Sequence, residues 1–191
     1  MYKPARGERP LWDFPSGLFK REIAAWGLSQ ALGWGLIPRT IHRVGPFGEG
    51  ALQEFVAADF DEHYFTLRED EAHHARLRYI CAFDLVANNA DRKSGHCLLA
   101  EDGTIYAIDN GLCFHVEPKL RTVIWDFAGE PIPAPIVDDL TRLVDRGLPP
   151  ACVELLEPAE QKAALARARA LVDAGHFPSD DFGHRYPWPL V

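Results

Sequence analysis

The chain has 191 residues, of which 47% are hydrophobic and 25% are charged, and these proportions are typical of a globular protein with one sizeable core or two small lobes. The net charge of −8 argues against binding to nucleic acid, because phosphate backbones are bound by clustered Lys and Arg side chains. The four cysteines have no CxxC or metal-type spacing, which is typical of a reduced cytoplasmic protein, and without an apolar run of about 18 residues we expect no transmembrane segment.

The N-terminal part of the chain predicts a small sheet with one helix. A short strand at residues 2–3 is followed by a helix over residues 16–33, where apolar side chains recur at helical spacing. Two strand-like runs come next, at residues 36–45 and 51–57, and the turn-rich sequence "PFGEG" separates them.

The rest of the chain predicts three helices and one hairpin. A helix over residues 68–88 begins with acidic side chains, and a β-hairpin over residues 97–109 turns at Asp102-Gly103. Helices are also predicted over residues 136–146 and 158–174, the second with a Pro at its start and a Gly after its end.

Two aspartates lie at one end of the predicted hairpin. Asp91 is in the loop that enters the first strand and Asp109 follows the second, so antiparallel pairing brings them together although 18 positions separate them. Neighbouring carboxylates need a cation or a shared proton, and a Mg²⁺ ion held together with substrate phosphates meets that need. The alternative is a surface hairpin with capping carboxylates, because Asp next to Gly or Asn is common in turns.

The sequence around both aspartates is similar to that of a known superfamily. "DLVANNADRKSGHCLL" followed by "YAIDNGLCF" resembles the catalytic loop and the metal-binding segment of the phosphatidylinositol 3/4-kinase superfamily. The resemblance is strongest to the atypical branch that contains the type II phosphatidylinositol 4-kinases, and it extends more distantly to HipA-type kinases. The arrangement "YKPARGERPLWDFP" is also similar to a small family of actinobacterial kinase-like proteins.

The resemblance implies a role for each polar residue of the catalytic loop. Asp91 would orient the attacking hydroxyl and accept its proton, and Lys93 would neutralise the phosphoryl oxygens during transfer. Asn89 and Arg92 would support the loop. Asp84, two helical turns before the loop, is expected to hydrogen-bond to it.

The resemblance extends into the N-terminal half. Lys3 would reach the nucleotide phosphates from its strand, and Glu22 on the first helix would be its ionic partner. Glu54 and Val56, in "LQEFV", would form the hinge that borders the adenine. The resemblance covers residues 2–114, in the order lysine, glutamate, hinge and two aspartates.

The metal-binding residues depart from the family pattern at one position. The resemblance makes Asp109 the residue that holds Mg²⁺ between the nucleotide phosphates. Five residues after Asp91, however, the chain has His96 where the family has a metal-binding Asn. Imidazole is a poor ligand for Mg²⁺ and a better one for softer metals. His96 could therefore hold Mn²⁺, contact a phosphate or be structural.

The predicted fold is α+β, a two-lobed protein-kinase-like domain. Residues 1–56 would form a reduced N-lobe and residues 57–191 a mainly helical C-lobe. Lys3 lies so close to the first residue that no glycine-rich hairpin can precede it to cover the phosphates. We therefore expect two further strand-like runs around a Gly- or Ser-rich turn to be encoded in frame upstream.

The leading hypothesis for function is an ATP-dependent phosphotransferase that uses Mg²⁺, or Mn²⁺, and phosphorylates a hydroxyl of a protein, small-molecule or lipid acceptor. A nucleotide-binding pseudokinase with a regulatory role is one alternative, because of His96 and the missing glycine-rich hairpin. A metal-dependent hydrolase that uses Asp91, His96 and Asp109 is another. Lys3 separates kinase from hydrolase, since a hydrolase has no use for it.

Overall fold

The computed structural model describes residues 1–181 and 183–191, and it has an α+β architecture. The described strands are β1 Tyr2–Pro4, β2 Thr40–Gly45, β3 Gly48–Gln53, β4 Ala58–Asp59, β5 Cys97–Ala100 and β6 Ile105–Ala107. The described helices are α1 Leu18–Ala31, α2 Tyr64–Leu67, α3 Glu71–Ala87, α4 Ala134–Arg146, α5 Pro150–Leu155 and α6 Pro158–Ala174. Among these residues no helix has the length and apolar character needed to cross a membrane.

The first sheet is built from the N-terminal strands in the order β1-β3-β2, with both pairs antiparallel. Lys3 lies opposite Ala51 in the central strand, and the side chains of Phe19 and Ile23 from α1 pack on Ala51. Gly50 permits the close approach of β1, because a Cβ atom at this position would lie 2.3 Å from the main-chain oxygen of Lys3. The sheet and α1 therefore hold Lys3 in a defined position.

The second sheet has the order β4-β5-β6 and contains the predicted hairpin. Cys97 pairs with Ala107, and the turn forms at the predicted place, where Gly103 adopts a φ of 81°. The carboxylate of Asp102 stabilises this turn by accepting a hydrogen bond from the backbone N–H of Thr104 at 2.9 Å. The prediction of a hairpin turn at Asp102-Gly103 is confirmed.

The helices enclose the main core. Helix α3 is capped at its start by Asp70, whose side chain accepts a hydrogen bond from the N–H of Ala72, and at its end by Asn88 in the left-handed conformation. Helix α6 packs against α3 and α4, and its bounds match the predicted 158–174. Arg21 of α1 is buried and forms an ion pair with Glu160 of α6, so α1 is fixed to both the sheet and the helical core.

Three short elements are absent from the sequence prediction: β4, α2 and α5. Each has between two and six residues, which is too few to show a hydrophobic period. Helix α5 packs against α1, where a Cβ atom on Gly27 would lie 2.8 Å from the Cβ of Ala151. The strand predicted at residues 51–57 is observed at Gly48–Gln53. The turn before it is shorter than predicted, because Gly48 and Gly50 pair with β2 instead of forming the turn.

We expect Phe83→Ala to lower the free energy of unfolding by about 3–5 kcal/mol, because the ring is fully buried in the main core. Phe47→Ala, at an exposed position, is the matched control and should change it by about 0.5 kcal/mol or less. Urea denaturation of both variants measures the difference. Equal effects would contradict the placement of Phe83 in the core.

Candidate active site

A lysine bridges two acidic side chains at the centre of the candidate site. The Lys3 Nζ lies 2.5 Å from Glu22 Oε1 and 2.9 Å from Asp109 Oδ1. Strand β1 supplies the lysine, helix α1 the glutamate, and the segment after β6 supplies Asp109. These three residues are distant in sequence, and the structure brings them together as the resemblance implied.

The three charges influence one another strongly because the site is partly removed from water. Burial raises the pKa of Glu22, against the opposing attraction of Lys3. Burial alone would lower the pKa of Lys3, but the attraction of Glu22 and Asp109 outweighs it and raises that pKa above its ordinary value. Burial likewise acts to raise the pKa of Asp109, and the charge and hydrogen bond of Lys3 outweigh it, so this pKa is lowered. Asp109 is therefore an anion at neutral pH.

The backbone around Asp109 is held in an uncommon conformation. Asp109 has a φ of 59°, in the left-handed region that Asp tolerates better than most residues. The N–H of the next residue, Asn110, donates to Glu22 Oε2 at 3.1 Å. Glu22 thus binds Lys3 with one oxygen and fixes the Asp109 segment with the other.

A buried ion pair supports the loop that carries Asp91. Arg92 and Asp84 are both fully buried, and Arg92 Nε donates to Asp84 Oδ2 at 2.9 Å while Nη2 lies 2.9 Å from Oδ1. The same guanidinium donates to the Ile108 carbonyl at 2.7 Å and to the Asn110 side-chain oxygen at 2.6 Å. One arginine therefore connects α3, the loop that carries Asp91 and the Asp109 segment.

Asn89 links this loop to Asp84. Its side-chain nitrogen donates to Asp84 Oδ1 at 3.1 Å, and its oxygen accepts the N–H of Asp91 at 2.9 Å. The expected hydrogen bonding of Asp84 to the loop is therefore present. Asn110 is a buried participant that the sequence reasoning missed, although it stands directly after Asp109 in "IDNG".

Asp91 and Lys93 face each other at the mouth of the site. The Lys93 Nζ lies 3.3 Å from Asp91 Oδ2. Burial raises the pKa of Asp91, although the charge of Lys93 opposes the rise. A carboxylate with a raised pKa is a better proton acceptor, so this pair can both take up a proton and attract a phosphate.

His96 lies between the two aspartates as a neutral imidazole. Burial and the charge of Arg92 lower its pKa to about 4. Its Nδ1 is 3.0 Å from the Asp91 carbonyl, an acceptor, and 3.4 Å from the backbone N–H of Lys93, a donor. The shorter contact, with the carbonyl, favours a proton on Nδ1. The lone pair of Nε2 then points toward Asp109 Oδ2 at 3.5 Å. Two acceptors therefore face each other.

Four of the predicted site residues, Lys3, Glu22, Asp91 and Asp109, line a common cavity of about 320 Å³. Lys93 and His96 contact two of these residues but are not part of its lining. Glu8 also lines it, and its carboxylate accepts the N–H groups of Gly17 and Phe19 at the start of α1. The role of Glu8 could not be predicted from the sequence, because Glu8 lies about ten residues before the helix that it caps.

The two predicted hinge residues lie elsewhere. Glu54 and Val56 follow β3 and line a separate cavity of about 560 Å³, together with Ile37 and Tyr106. The structure therefore does not bring them into the Lys3 cavity. The periodicity of "ALQEFVA" could not show this, because it does not reveal on which side of the sheet the chain leaves the strand.

The fold is similar to a solved kinase structure. It superposes on the crystal structure of the Helicobacter pylori proinflammatory kinase CtkA with a TM-score of 0.51, covering 86% of this chain and 83% of that chain at 11% sequence identity. A similarity at this identity establishes the kinase-like fold and leaves activity and substrate open.

The sequence also has a relative among known proteins. No family model matches the chain. It is 40% identical to Protein Rv2133c of Mycobacterium tuberculosis over an alignment of 227 positions, which covers 99% of this chain and 81% of the relative. The chain belongs to the same family as that protein.

We expect Asp84→Asn to lower the free energy of unfolding by about 3–5 kcal/mol, because it removes one partner of a buried ion pair and leaves the Arg92 charge without a carboxylate. Asp138→Asn, on the exposed face of α4, is the control and should have little effect. Urea denaturation measures both variants. A small effect of Asp84→Asn would show that Arg92 does not depend on this carboxylate.

Proposed function

We propose that this protein is an ATP-dependent phosphotransferase with a site of the phosphatidylinositol 3/4-kinase type, which phosphorylates a hydroxyl of a protein, small-molecule or lipid acceptor. The observation that carries the proposal is the contact of Lys3 with both Glu22 and Asp109. Kinases require a strand lysine paired with a helix glutamate and an aspartate that holds the metal. In this proposal residues 1–56 form the N-lobe and residues 57–191 the C-lobe.

The first sheet supports this assignment. In kinase-like folds the nucleotide lysine lies on the third strand of the N-lobe sheet, and the glutamate lies on the helix that follows it. Lys3 is on β1, which pairs with β3 and with no other described strand, and α1 follows directly with Glu22. The far edge of β1 is therefore where a phosphate-covering hairpin would pair in a kinase.

The residues present fit a divalent metal bound together with a nucleotide. Asp109 is an anion, and its Oδ2 faces the free Nε2 lone pair of His96 at 3.5 Å. Two facing acceptors are stabilised by a cation between them, so Asp109 and His96 would hold the metal. No group of three or more His, Cys, Asp and Glu side chains in residues 1–181 and 183–191 is placed to hold a metal ion, so phosphate oxygens would supply further ligands. A metal bound here would neutralise charge on those phosphates.

The side chains of the site would divide the remaining work. Lys3 would bind phosphate oxygens from the sheet side, held in place by Glu22. Asp91 would accept the proton of the acceptor hydroxyl on its carboxylate, and its raised pKa suits that task. Lys93, next to Asp91, would contact the phosphoryl group as it is transferred. Asn89 and Arg92 are positioning residues.

A nucleotide-binding pseudokinase is the second candidate, and one observation favours it. His96 occupies the position of the family's metal-binding Asn and already uses Nδ1 to bind the Asp91 carbonyl. If its Nε2 does not accept a metal, the site would bind nucleotide without turnover. ADP formation with Mg²⁺ and with Mn²⁺ separates the two candidates.

We expect Lys3→Met to weaken ATP binding by about tenfold or more, because it removes a charged donor to the phosphates. Lys20→Met, an exposed lysine on α1, should leave ATP affinity unchanged. Since Lys3→Met also leaves buried Glu22 unpaired, the double variant Lys3→Met with Glu22→Gln tests binding without that charge. Isothermal titration with Mg²⁺-ATP measures all three. Unchanged affinity in a folded Lys3 variant would favour the hydrolase alternative.

We expect the two aspartates to affect different steps. Asp109→Asn should abolish metal-dependent ATP binding, whereas Asp91→Asn should preserve binding and remove phosphoryl transfer, because Asp109 is the only one of the two aspartates assigned to the metal. Asp102→Asn, at the opposite end of the same hairpin, is the control. Fluorescent ATP titrations with and without metal, combined with an ADP-release assay, distinguish the steps. An equal loss of binding in both variants would mean that both acids hold metal, as in a hydrolase.

A further inference from the structure

A second large cavity lies away from the Lys3 site, between α6, the end of α3 and the segments at residues 116–121, 176–178 and 184–185. It has a volume of about 740 Å³, within the range of small-molecule sites. We call it the basic groove. Its charged and imidazole side chains are Lys119, Arg121, Arg167, His176, His184 and Arg185, and none of its described lining residues is Asp or Glu. This is unusual in a chain with 28 acidic and 20 basic residues.

Arg167 carries a positive charge without a carboxylate partner. Its Nε donates to the Val86 carbonyl at 2.8 Å and its Nη1 to the His115 carbonyl at 3.2 Å. Its Nη2 is buried and has no hydrogen-bond acceptor among residues 1–181 and 183–191. Burial lowers the pKa of Arg167 to about 10, so the guanidinium still carries its charge at neutral pH. An anion in the groove would compensate a charge that the described residues leave unpaired.

Two further arginines of the groove make no ion pair. Arg121 and Arg185 are exposed, and neither guanidinium pairs with a carboxylate in the described part of the chain, although the charge of Arg121 acts to lower the pKa of Asp13 and of Asp91. The N–H of Thr122 donates to the Arg185 carbonyl at 2.9 Å, which holds their two segments side by side. Lys119 differs, because it is paired with Asp13 at 3.1 Å. The three arginines are thus the available anion-binding groups.

The other walls of the groove are apolar. Leu85, Leu120 and Leu171 line it, and α6 contributes alanines at four positions, 163, 166, 170 and 174. Positions three and four apart lie on one face of a helix, so these small side chains form a shallow apolar floor. An apolar body can cover this floor while its charged end reaches the arginines.

We propose that the basic groove binds a small amphiphilic anion, with its phosphate or carboxylate on Arg121 and Arg167 and its apolar body along the alanine face of α6. This inference does not rest on the proposed phosphotransferase function, because none of the groove residues belongs to the Lys3 cavity. The arginines without an ion-pair partner favour a ligand with a negative charge, and the alanine face favours a ligand with an apolar body.

The test uses the full chain and decyl phosphate as the probe, below its micelle concentration, in isothermal titration. We expect decyl phosphate to bind at least about tenfold more tightly than decanol or inorganic phosphate, since each of these lacks one part of the recognised chemistry. Equal binding of decanol or of inorganic phosphate would overturn the proposal. Tighter binding of an acidic octapeptide than of decyl phosphate would also overturn it, in favour of a protein segment.

Three variants localise the site. Arg121→Gln and Arg167→Gln should each weaken decyl phosphate binding by about tenfold, whereas Arg169→Gln, an exposed neighbour on α6 outside the groove, should not. If Arg167→Gln fails to fold because its two carbonyl contacts are lost, Arg121→Gln still decides, since the guanidinium of Arg121 makes no hydrogen bond in the described residues. Equal weakening by Arg169→Gln would overturn the proposal, because the effect would then be one of net charge.

Discussion

The candidate site depends on one buried guanidinium group. Arg92 is fully buried, and it donates to Asp84 at the end of α3, to the Ile108 carbonyl and to the Asn110 side chain. These partners come from both sides of the hairpin, so one side chain sets the distance between the loop with Asp91 and the segment with Asp109. A buried charge tolerates few alternative arrangements, because every other position of its partners leaves a donor unsatisfied. The hairpin brings the two aspartates close together, and Arg92 fixes the distance between them.

Charge organises the site around this frame. Glu22 is buried and is stabilised as an anion only if Lys3 stays within hydrogen-bond distance, and Lys3 in turn contacts Asp109. Two carboxylates and one ammonium group leave the centre with a net negative charge, which suits a divalent cation. In the proposed function the phosphates would need positive charge, and Lys3 lies on the sheet side of the cavity while Lys93 lies beside Asp91. The arrangement of charges thus agrees with a metal-nucleotide complex better than with either component alone.

The sequence predicts those parts that local chemistry determines. Helix α6 is predicted at its observed bounds, because a Pro starts it and a Gly in the left-handed conformation ends it. The turn at Gly103 and the meeting of Lys3 with Glu22 also follow from turn residues and from a motif in the correct order. Long-range features escape this reasoning. Glu8 caps α1 from a separate segment, and Glu54 and Val56 line another cavity because the direction of the chain after β3 is set by packing.

His96 departs from the family motif, and its role can be inferred only from its contacts in the structure. From the sequence alone, His96 could hold a metal, contact a phosphate or be structural. In the structure the contact with the Asp91 carbonyl favours a proton on Nδ1, and Nε2 faces the carboxylate of Asp109. In the proposed metal site a neutral imidazole would add no charge and would be a softer donor than the amide oxygen of Asn. The proposal therefore predicts that the site prefers Mn²⁺ to Mg²⁺.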